Sequence, residues 1–116
     1  GAMEKTEFIH SFGGICICAH PFRNRGYIPD PDNAPDPNLF DGIEGFNLAN
    51  QPEENQKAFI YAINNGKFIT SGSDTHSADN FGNAGIAFDK PVKNYSTFIK
   101  RIKKGEFRLI NPYNKD

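Results

Sequence analysis

Short apolar runs alternate with amphipathic helical segments along this chain, and that alternation restricts the possible folds more than any other feature. Strands alternating with helices favour parallel pairing, because each helix carries the chain back to the same edge of the sheet. The apolar runs lie at 14–20, 42–47, 67–73, 85–90 and 107–111. We therefore expect an α/β fold with a mostly parallel sheet of four to five strands and flanking helices.

The helical segments have recognisable ends. Residues 4–12 stop at two consecutive glycines, and the segment from Pro52 has acidic residues in its first turn and Asn65-Gly66 after its last. In that helix the predicted apolar stripe is Ala58, Phe59, Ala62 and Ile63. Ser96 is the predicted N-cap of a basic helix over 97–105, with Phe98, Ile99 and Ile102 buried.

Composition excludes several classes of protein. Hydrophobic residues make up 37% and charged residues 23% of 116 residues, which is typical of a folded domain rather than a disordered one. A net charge of −1 gives no electrostatic argument for nucleic-acid binding. No run approaches the ~18 apolar residues that span a bilayer, and no signal peptide is visible. Cys16 and Cys18 are predicted to be reduced core residues, with a metal or redox role as the alternative. We therefore expect a cytoplasmic protein that does not bind membranes.

Two segments stand apart from the expected core. Gly1 to Met3 resemble the remnant of a cleaved tag, so residues 4–116 are treated as one domain. Residues 24–39 are rich in proline and acidic residues and are predicted to form a long loop. Such a loop serves either as a lid over a binding site or as a tolerated surface insertion, and the sequence favours neither.

Polar side chains follow two of the predicted strands. His20 ends the first strand and Asp74 the third, and carboxyl ends of parallel strands meet at one edge of a sheet. In extended backbone, Asp74 and His76 point to the same side and could share a divalent metal ion. Arg23 and Arg25 could clamp a phosphate. Each residue also has an ordinary interpretation: a capping aspartate, a satisfied core histidine, and solvated loop arginines.

Taken together, these motifs resemble the PHP family, named for polymerase and histidinol phosphatase domains. The resemblance rests on four segments in order, namely AHPFR (19–23), DGIEGFN (41–47), GSDTH (72–76) and the tail 85–107. It implies a distorted seven-stranded β/α barrel that hydrolyses phosphoesters at a two- or three-metal site on its C-terminal rim. It also implies that His20, Asp74 and His76 bind a divalent metal ion, such as zinc, manganese or iron. Beside such an ion, Arg23 is the expected catalytic residue, suited to clamp the phosphate of a small-molecule substrate.

The chain also departs from the family pattern. The family's H-x-H motif is absent, and the remaining histidine, His10, is predicted to be an ordinary helix-surface residue. We therefore expect the C-terminal part of a PHP barrel, nearly inactive alone, with Glu44 and Asn47 in supporting positions. Two alternatives stay open: a catalytically inactive PHP-derived binding module, and a metal-free phosphate-binding domain. Uncovered edges of a partial barrel would also favour self-association.

Overall fold

The computed structural model describes residues 1–24, 34–80 and 82–113, and these residues form an α/β fold. Its α-helices are α1 (Ala2–Ser11), α2 (Pro52–Asn64) and α3 (Tyr95–Lys104). Its strands are β1 (Ile17–Cys18), β2 (Gly42–Asn47), β3 (Phe68–Gly72), β4 (Gly85–Ala87) and β5 (Arg108–Ile110). Two short 3-10 helices occupy Pro37–Leu39 and Ala78–Asn80. No helix among the described residues is both long and apolar enough to cross a membrane.

The first three strands form a parallel sheet in the order β1-β2-β3. Ile17 lies opposite Gly42, which in turn lies opposite Phe68, so the strands start at nearly the same level. The register shifts between Glu44 and Phe46. As a consequence, the carboxyl ends of all three strands open onto one edge, where a site was predicted.

The last two strands correct the predicted architecture. β4 and β5 pair with each other in an antiparallel two-stranded sheet, so a single mostly parallel sheet of four to five strands is wrong. The described strands also close no barrel. Alternation of strands and helices does not give parallel pairing here: β4 and β5, of three residues each, are separated by α3 and still run in opposite directions. Gly105, at φ +70°, turns the chain at the end of α3, and β5 follows almost at once.

The helix ends agree with the sequence for α2 but not for α3. Glu54 accepts a hydrogen bond from the Gln51 backbone N–H at 2.7 Å, which closes the first turn of α2. In α3 the N-cap is Asn94, whose Oδ1 accepts from Thr97 N at 2.8 Å, so the predicted cap at Ser96 is wrong. The backbone is already extended at Asn94, which places Ser96 inside the first turn.

The core lies between α2 and the parallel sheet. Its buried residues are Phe22, Ile43, Ala58 and Ala62. Small side chains at Ala58 and Ala62 let α2 approach β2 closely. The predicted stripe of α2 is wrong at one position, because Ile63 is 68% exposed. Near the carboxyl edge of the sheet, α2 instead buries polar Glu54 and Asn55.

Two further predictions concern the chain before β2. The strand expected over 14–20 is shorter, since only Ile17 and Cys18 pair with β2. Of the predicted 24–39 loop, residues 25–33 lie outside the described part of the chain. Within the described part, β1 has β2 as its one strand neighbour, and self-association through this edge stays a prediction.

Candidate functional site

The candidate site lies at the carboxyl ends of the three parallel strands. His20 follows β1 by two residues, Asn47 ends β2, and Asp74 follows β3 by two residues. The chain then brings Arg23 from the β1 side across β2, and its Nη2 lies 2.7 Å from Asp74 Oδ2. The parallel strands therefore bring His20 and Asp74 to the same edge of the sheet, as predicted. Arg25, the other arginine predicted to clamp a phosphate, lies outside the described residues.

A hydrogen-bond network centred on Asn47 holds this pair in place. Arg23 Nη2 also donates to Asn47 Oδ1 at 2.7 Å, and Arg23 Nε donates to Asn50 Oδ1 at 2.7 Å. Asn47 Nδ2 donates to Asp74 Oδ2 at 3.2 Å. Since Asn47 is only 1% exposed, its amide is a fixed element of the network rather than a surface group.

Glu44 ties the same network to β1 and β3. Its Oε1 accepts from the His20 backbone N–H at 2.9 Å and from Asn47 Nδ2 at 2.8 Å. Its Oε2 lies over Gly72, where an added Cβ would come within 2.6 Å of that oxygen. Only glycine at position 72 leaves room for the carboxylate in this place. Glu44 therefore occupies a supporting position behind His20.

The electrostatics keep Asp74 ionised. The hydrogen bond from Arg23 lowers the pKa of Asp74 below its usual value, and it outweighs partial burial, which acts in the opposite direction. Asn47 adds a second hydrogen bond in the lowering direction. Both partners of the ion pair are largely shielded, with side-chain exposures of 17% for Arg23 and 18% for Asp74. The site thus presents a preformed carboxylate.

His20 and Asp74 share an unusual backbone conformation. Their φ angles are +28° and +52°, in the left-handed region that few residues other than glycine adopt. Histidine and aspartate are among the residues that enter it more often, yet each such position still costs about 1–3 kcal/mol. Strain of this kind is concentrated at functional sites, and here it occurs at two residues of one network.

His76 presents its imidazole to solvent beside Asp74. Its Nδ1 lies 2.8 Å from the Asp74 carbonyl oxygen and 3.5 Å from Asp74 Oδ1, while the side chain is 86% exposed. Because a carbonyl oxygen only accepts, Nδ1 donates in that contact, so in the neutral ring the lone pair lies on Nε2. A nitrogen with its lone pair facing solvent is suited to bind a metal ion.

The three predicted metal ligands do not yet surround one point. Among the described residues, three ligand atoms of His, Cys, Asp or Glu lie within 4.8 Å of one another only at His10, Cys16 and Asp41. That group is at the opposite edge of the sheet. Sequence reasoning missed it, because His10 was predicted to be an ordinary helix-surface residue. The only available signal was its place just before Gly13-Gly14, where the chain turns back toward β1.

Comparison with known proteins supports the family resemblance. A family model described as PHP-associated matches residues 52–107, which include α2, β3 and α3. The matched segment contains Asp74 and His76 and leaves out Arg23 and Glu44. No curated protein and no solved structure matches the chain. The predicted link is thereby confirmed for the C-terminal part of the chain.

Proposed function

We propose, from the match of residues 52–107 to a family model described as PHP-associated, that the chain is part of a metal-dependent phosphoesterase. Such an enzyme hydrolyses phosphoester bonds with metal-activated water. The observation that carries the proposal is the Arg23–Asn47–Asp74 network at the carboxyl edge of the sheet. It combines a fixed carboxylate and a fixed guanidinium, the two groups that a metal ion and a phosphate require.

In this proposal Asp74, His76 and His20 hold the metal. Carboxylate oxygen and imidazole nitrogen suit zinc, manganese or iron, so the donor set fits the ions that the family resemblance implies. When bound, such an ion lowers the pKa of a water ligand and neutralises phosphoryl oxygens. Asp74 needs no deprotonation for this role, because Arg23 and Asn47 already stabilise its charge.

Arg23 has two proposed roles. It positions Asp74 through Nη2, and it lies where a guanidinium could also donate to a phosphoryl oxygen of a small phosphorylated substrate. Asn50 fixes its Nε at 2.7 Å, so the plane of the guanidinium is set before a ligand arrives. Preorganisation of this kind reduces the entropy lost on binding.

A second candidate function is a PHP-derived binding module without activity. It is favoured by one observation: Asp74 Oδ2 already accepts from both Arg23 and Asn47, so a metal ion at that oxygen must compete with two donors. In that case the hydrogen bonds from Arg23 and Asn47 to Asp74 would serve only to stabilise the fold. The two functions differ in whether the chain takes up metal at Asp74.

Metal content tests the proposal. We expect the chain, reloaded with manganese and freed of excess ion, to retain metal that is lost in His20→Ala, Asp74→Ala and His76→Ala. Asp89→Ala is the matched control, because the Asp89 carboxylate is 78% exposed and outside the network. If these three substitutions leave metal content unchanged, or if the parent chain retains none, the ligand assignment is wrong and the binding-module function is preferred.

Phosphatase assays supply a second constraint. With the family's H-x-H motif absent from these residues, we expect very low turnover of p-nitrophenyl phosphate by this chain, even with metal bound. Residual activity should fall further in Asp74→Ala and remain in Asp89→Ala. Rapid turnover that survives Asp74→Ala would contradict the assignment of the site.

A further inference from the structure

A second group of potential metal ligands lies at the amino ends of β1 and β2, across the sheet from the candidate site. Because Ile17 pairs with Gly42, the preceding residues Cys16 and Asp41 are neighbours. Asp41 N donates to Cys16 O at 2.8 Å, and Cys16 N donates to Asp41 Oδ2 at 2.8 Å. Strand register therefore fixes the thiol and the carboxylate side by side.

The turn after α1 brings an imidazole to the same place. Gly13 has φ +77°, and Gly14 N donates to Ile9 O at 3.1 Å. A Cβ at Gly14 would come within 2.8 Å of the Ile9 side chain, so the close return of the chain depends on this glycine. As a result, His10 Nε2 lies 2.8 Å from Asp41 Oδ2.

The distances suit a tetrahedral ion. One nitrogen, one sulfur and one oxygen from these three residues lie within 4.8 Å of one another. Ligands of tetrahedral zinc, bound at about 2.0–2.3 Å, lie about 3.3–3.6 Å apart. The imidazole–carboxylate pair, now 2.8 Å apart, would widen slightly, and a separation at the 4.8 Å limit would shorten by about 1.2–1.5 Å. Such changes are within the reach of side-chain rotations.

Solvent reaches this group, which leaves room for a fourth ligand. The His10 side chain is 42% exposed and that of Asp41 is 24% exposed. Asp41 is also held as a carboxylate: although burial raises its pKa, hydrogen bonds from Cys16 N–H and His10 lower it further than burial raises it. A charged oxygen is thus available beside the thiol and the imidazole.

We propose that His10, Cys16 and Asp41 form a zinc-class metal site, with water as the fourth ligand. A thiolate and an imidazole favour zinc or cobalt over magnesium, calcium or manganese, whereas the predicted ligands around Asp74 include no sulfur. Binding releases the Cys16 thiol proton to solvent. The proton that His10 Nε2 donates to Asp41 must also leave that nitrogen, so that the neutral ring carries its proton on Nδ1 and Nε2 can bind the ion. The bound ion then joins the end of α1 to the starts of β1 and β2. This site is independent of the proposed phosphoesterase function.

Cobalt binding tests the site directly. Titration of the whole chain with Co²⁺ is expected to give a thiolate-to-cobalt charge-transfer band in the near ultraviolet and intense tetrahedral d–d bands. Cys16→Ser should abolish the charge-transfer band. His10→Gln should weaken Co²⁺ binding by at least about tenfold, because loss of a residue that only hydrogen-bonds to a metal ligand already lowers affinity by about that factor. Cys18→Ser is the matched control and should keep the band. Asp74→Ala should keep it too, which separates this site from the other edge.

Protection from alkylation provides an independent measurement. Zn²⁺ is expected to slow iodoacetamide labelling of Cys16 by about tenfold or more and to leave labelling of Cys18 unchanged. Circular dichroism of each variant establishes that it is folded. If cobalt gives no thiolate band and zinc does not protect Cys16 in the folded parent chain, His10 and Asp41 form an ion pair only, and the proposal is overturned.

Discussion

Arg23 and Asp74, 51 residues apart in sequence, form an ion pair in which Nη2 lies 2.7 Å from Oδ2. The pair spans the carboxyl end of β2 and joins the segment after β1 to the segment after β3. Asn47 contacts both partners, so the three side chains form one closed arrangement. The site therefore also connects the strands to one another. Substitution of its residues should change the free energy of unfolding as well as ligand binding.

Replacing Arg23 with methionine should destabilise the fold. The change removes three hydrogen bonds, two of them to amide oxygens and one to a carboxylate, and it leaves Asp74 without its cation. We expect the free energy of unfolding in urea to fall by about 1.5–3 kcal/mol, the usual contribution of a hydrogen bond to a charged group. Arg108→Met removes an exposed partner of Asp89 and should cost less than about 1 kcal/mol. Equal losses in the two variants would contradict the proposed importance of the network.

The contribution of Asp74 to stability should depend on pH in one direction. Its folded-state pKa lies below the ordinary value of 3.8, so its stabilising effect is fully present above that pH. The effect is lost as pH falls through the lower folded-state pKa. We therefore expect the difference in unfolding free energy between the parent chain and Asp74→Asn to be largest near neutral pH and to shrink below about pH 4.

The comparison with Asp74→Asn is needed because Asp41 also has a lowered pKa and adds its own sensitivity to acid. Subtracting the two unfolding curves removes the Asp41 contribution, which both chains share. A difference that stays constant between neutral pH and pH 3 would show that Asp74 gains nothing from Arg23 in the folded state.

A glycine at the start of β2 tests the packing at the amino end of the sheet. A Cβ at Gly42 would come within 2.1 Å of the Phe68 ring, so Gly42→Ala forces that ring to move. We expect a loss of about 1–3 kcal/mol in unfolding free energy, as for other overpacked positions. Gly85→Ala, in β4, meets no atom within 4 Å and should be close to neutral. Similar effects of both substitutions would mean that Phe68 does not cover Gly42.

The two cysteines should react at different rates. Burial, with a smaller contribution from the charge of Glu44, raises the pKa of Cys18 to about 11. At pH 8 only about one in a thousand Cys18 thiols is then ionised, and the thiolate is the reactive form. In metal-free protein we expect iodoacetamide to label Cys16 well before Cys18, measured by mass spectrometry of peptides. Glu44→Gln should accelerate labelling of Cys18, and faster labelling of Cys18 than Cys16 in the parent chain would refute the assignment.

What the sequence could predict was mainly local. The ends of α2 follow from Pro52 and from Asn65-Gly66, and β2 was predicted at its observed bounds, because neighbouring residues determine both elements. The placement of His20 and Asp74 at one edge of the sheet followed from parallel topology alone. Helical periodicity placed Ile63 in the core, but the structure turns it to solvent because the face of α2 that meets β2 is set by tertiary packing.

Contacts between distant segments could not be predicted in the same way. The pairing of β4 with β5 depends on the turn at Gly105. The spacing of apolar residues in the sequence does not predict the direction of that turn. His10 meets Asp41 only because the Gly13-Gly14 turn returns α1 to the sheet. Nor does the AHPFR motif show that Arg23 donates to Asp74, since that contact depends on the path of two loops.

The central claim is that metal and phosphate bind together at the carboxyl edge of the sheet, and paramagnetic relaxation of the ³¹P signal of inorganic phosphate tests it most directly. With one equivalent of Mn²⁺, the parent chain should broaden this signal more than free Mn²⁺ does at the same concentration. Asp41→Asn should preserve the effect, whereas Asp74→Ala and Arg23→Met should reduce it to the level of free Mn²⁺. Broadening by the parent chain that is no greater than that of free Mn²⁺, or that survives in Asp74→Ala, would contradict the claim.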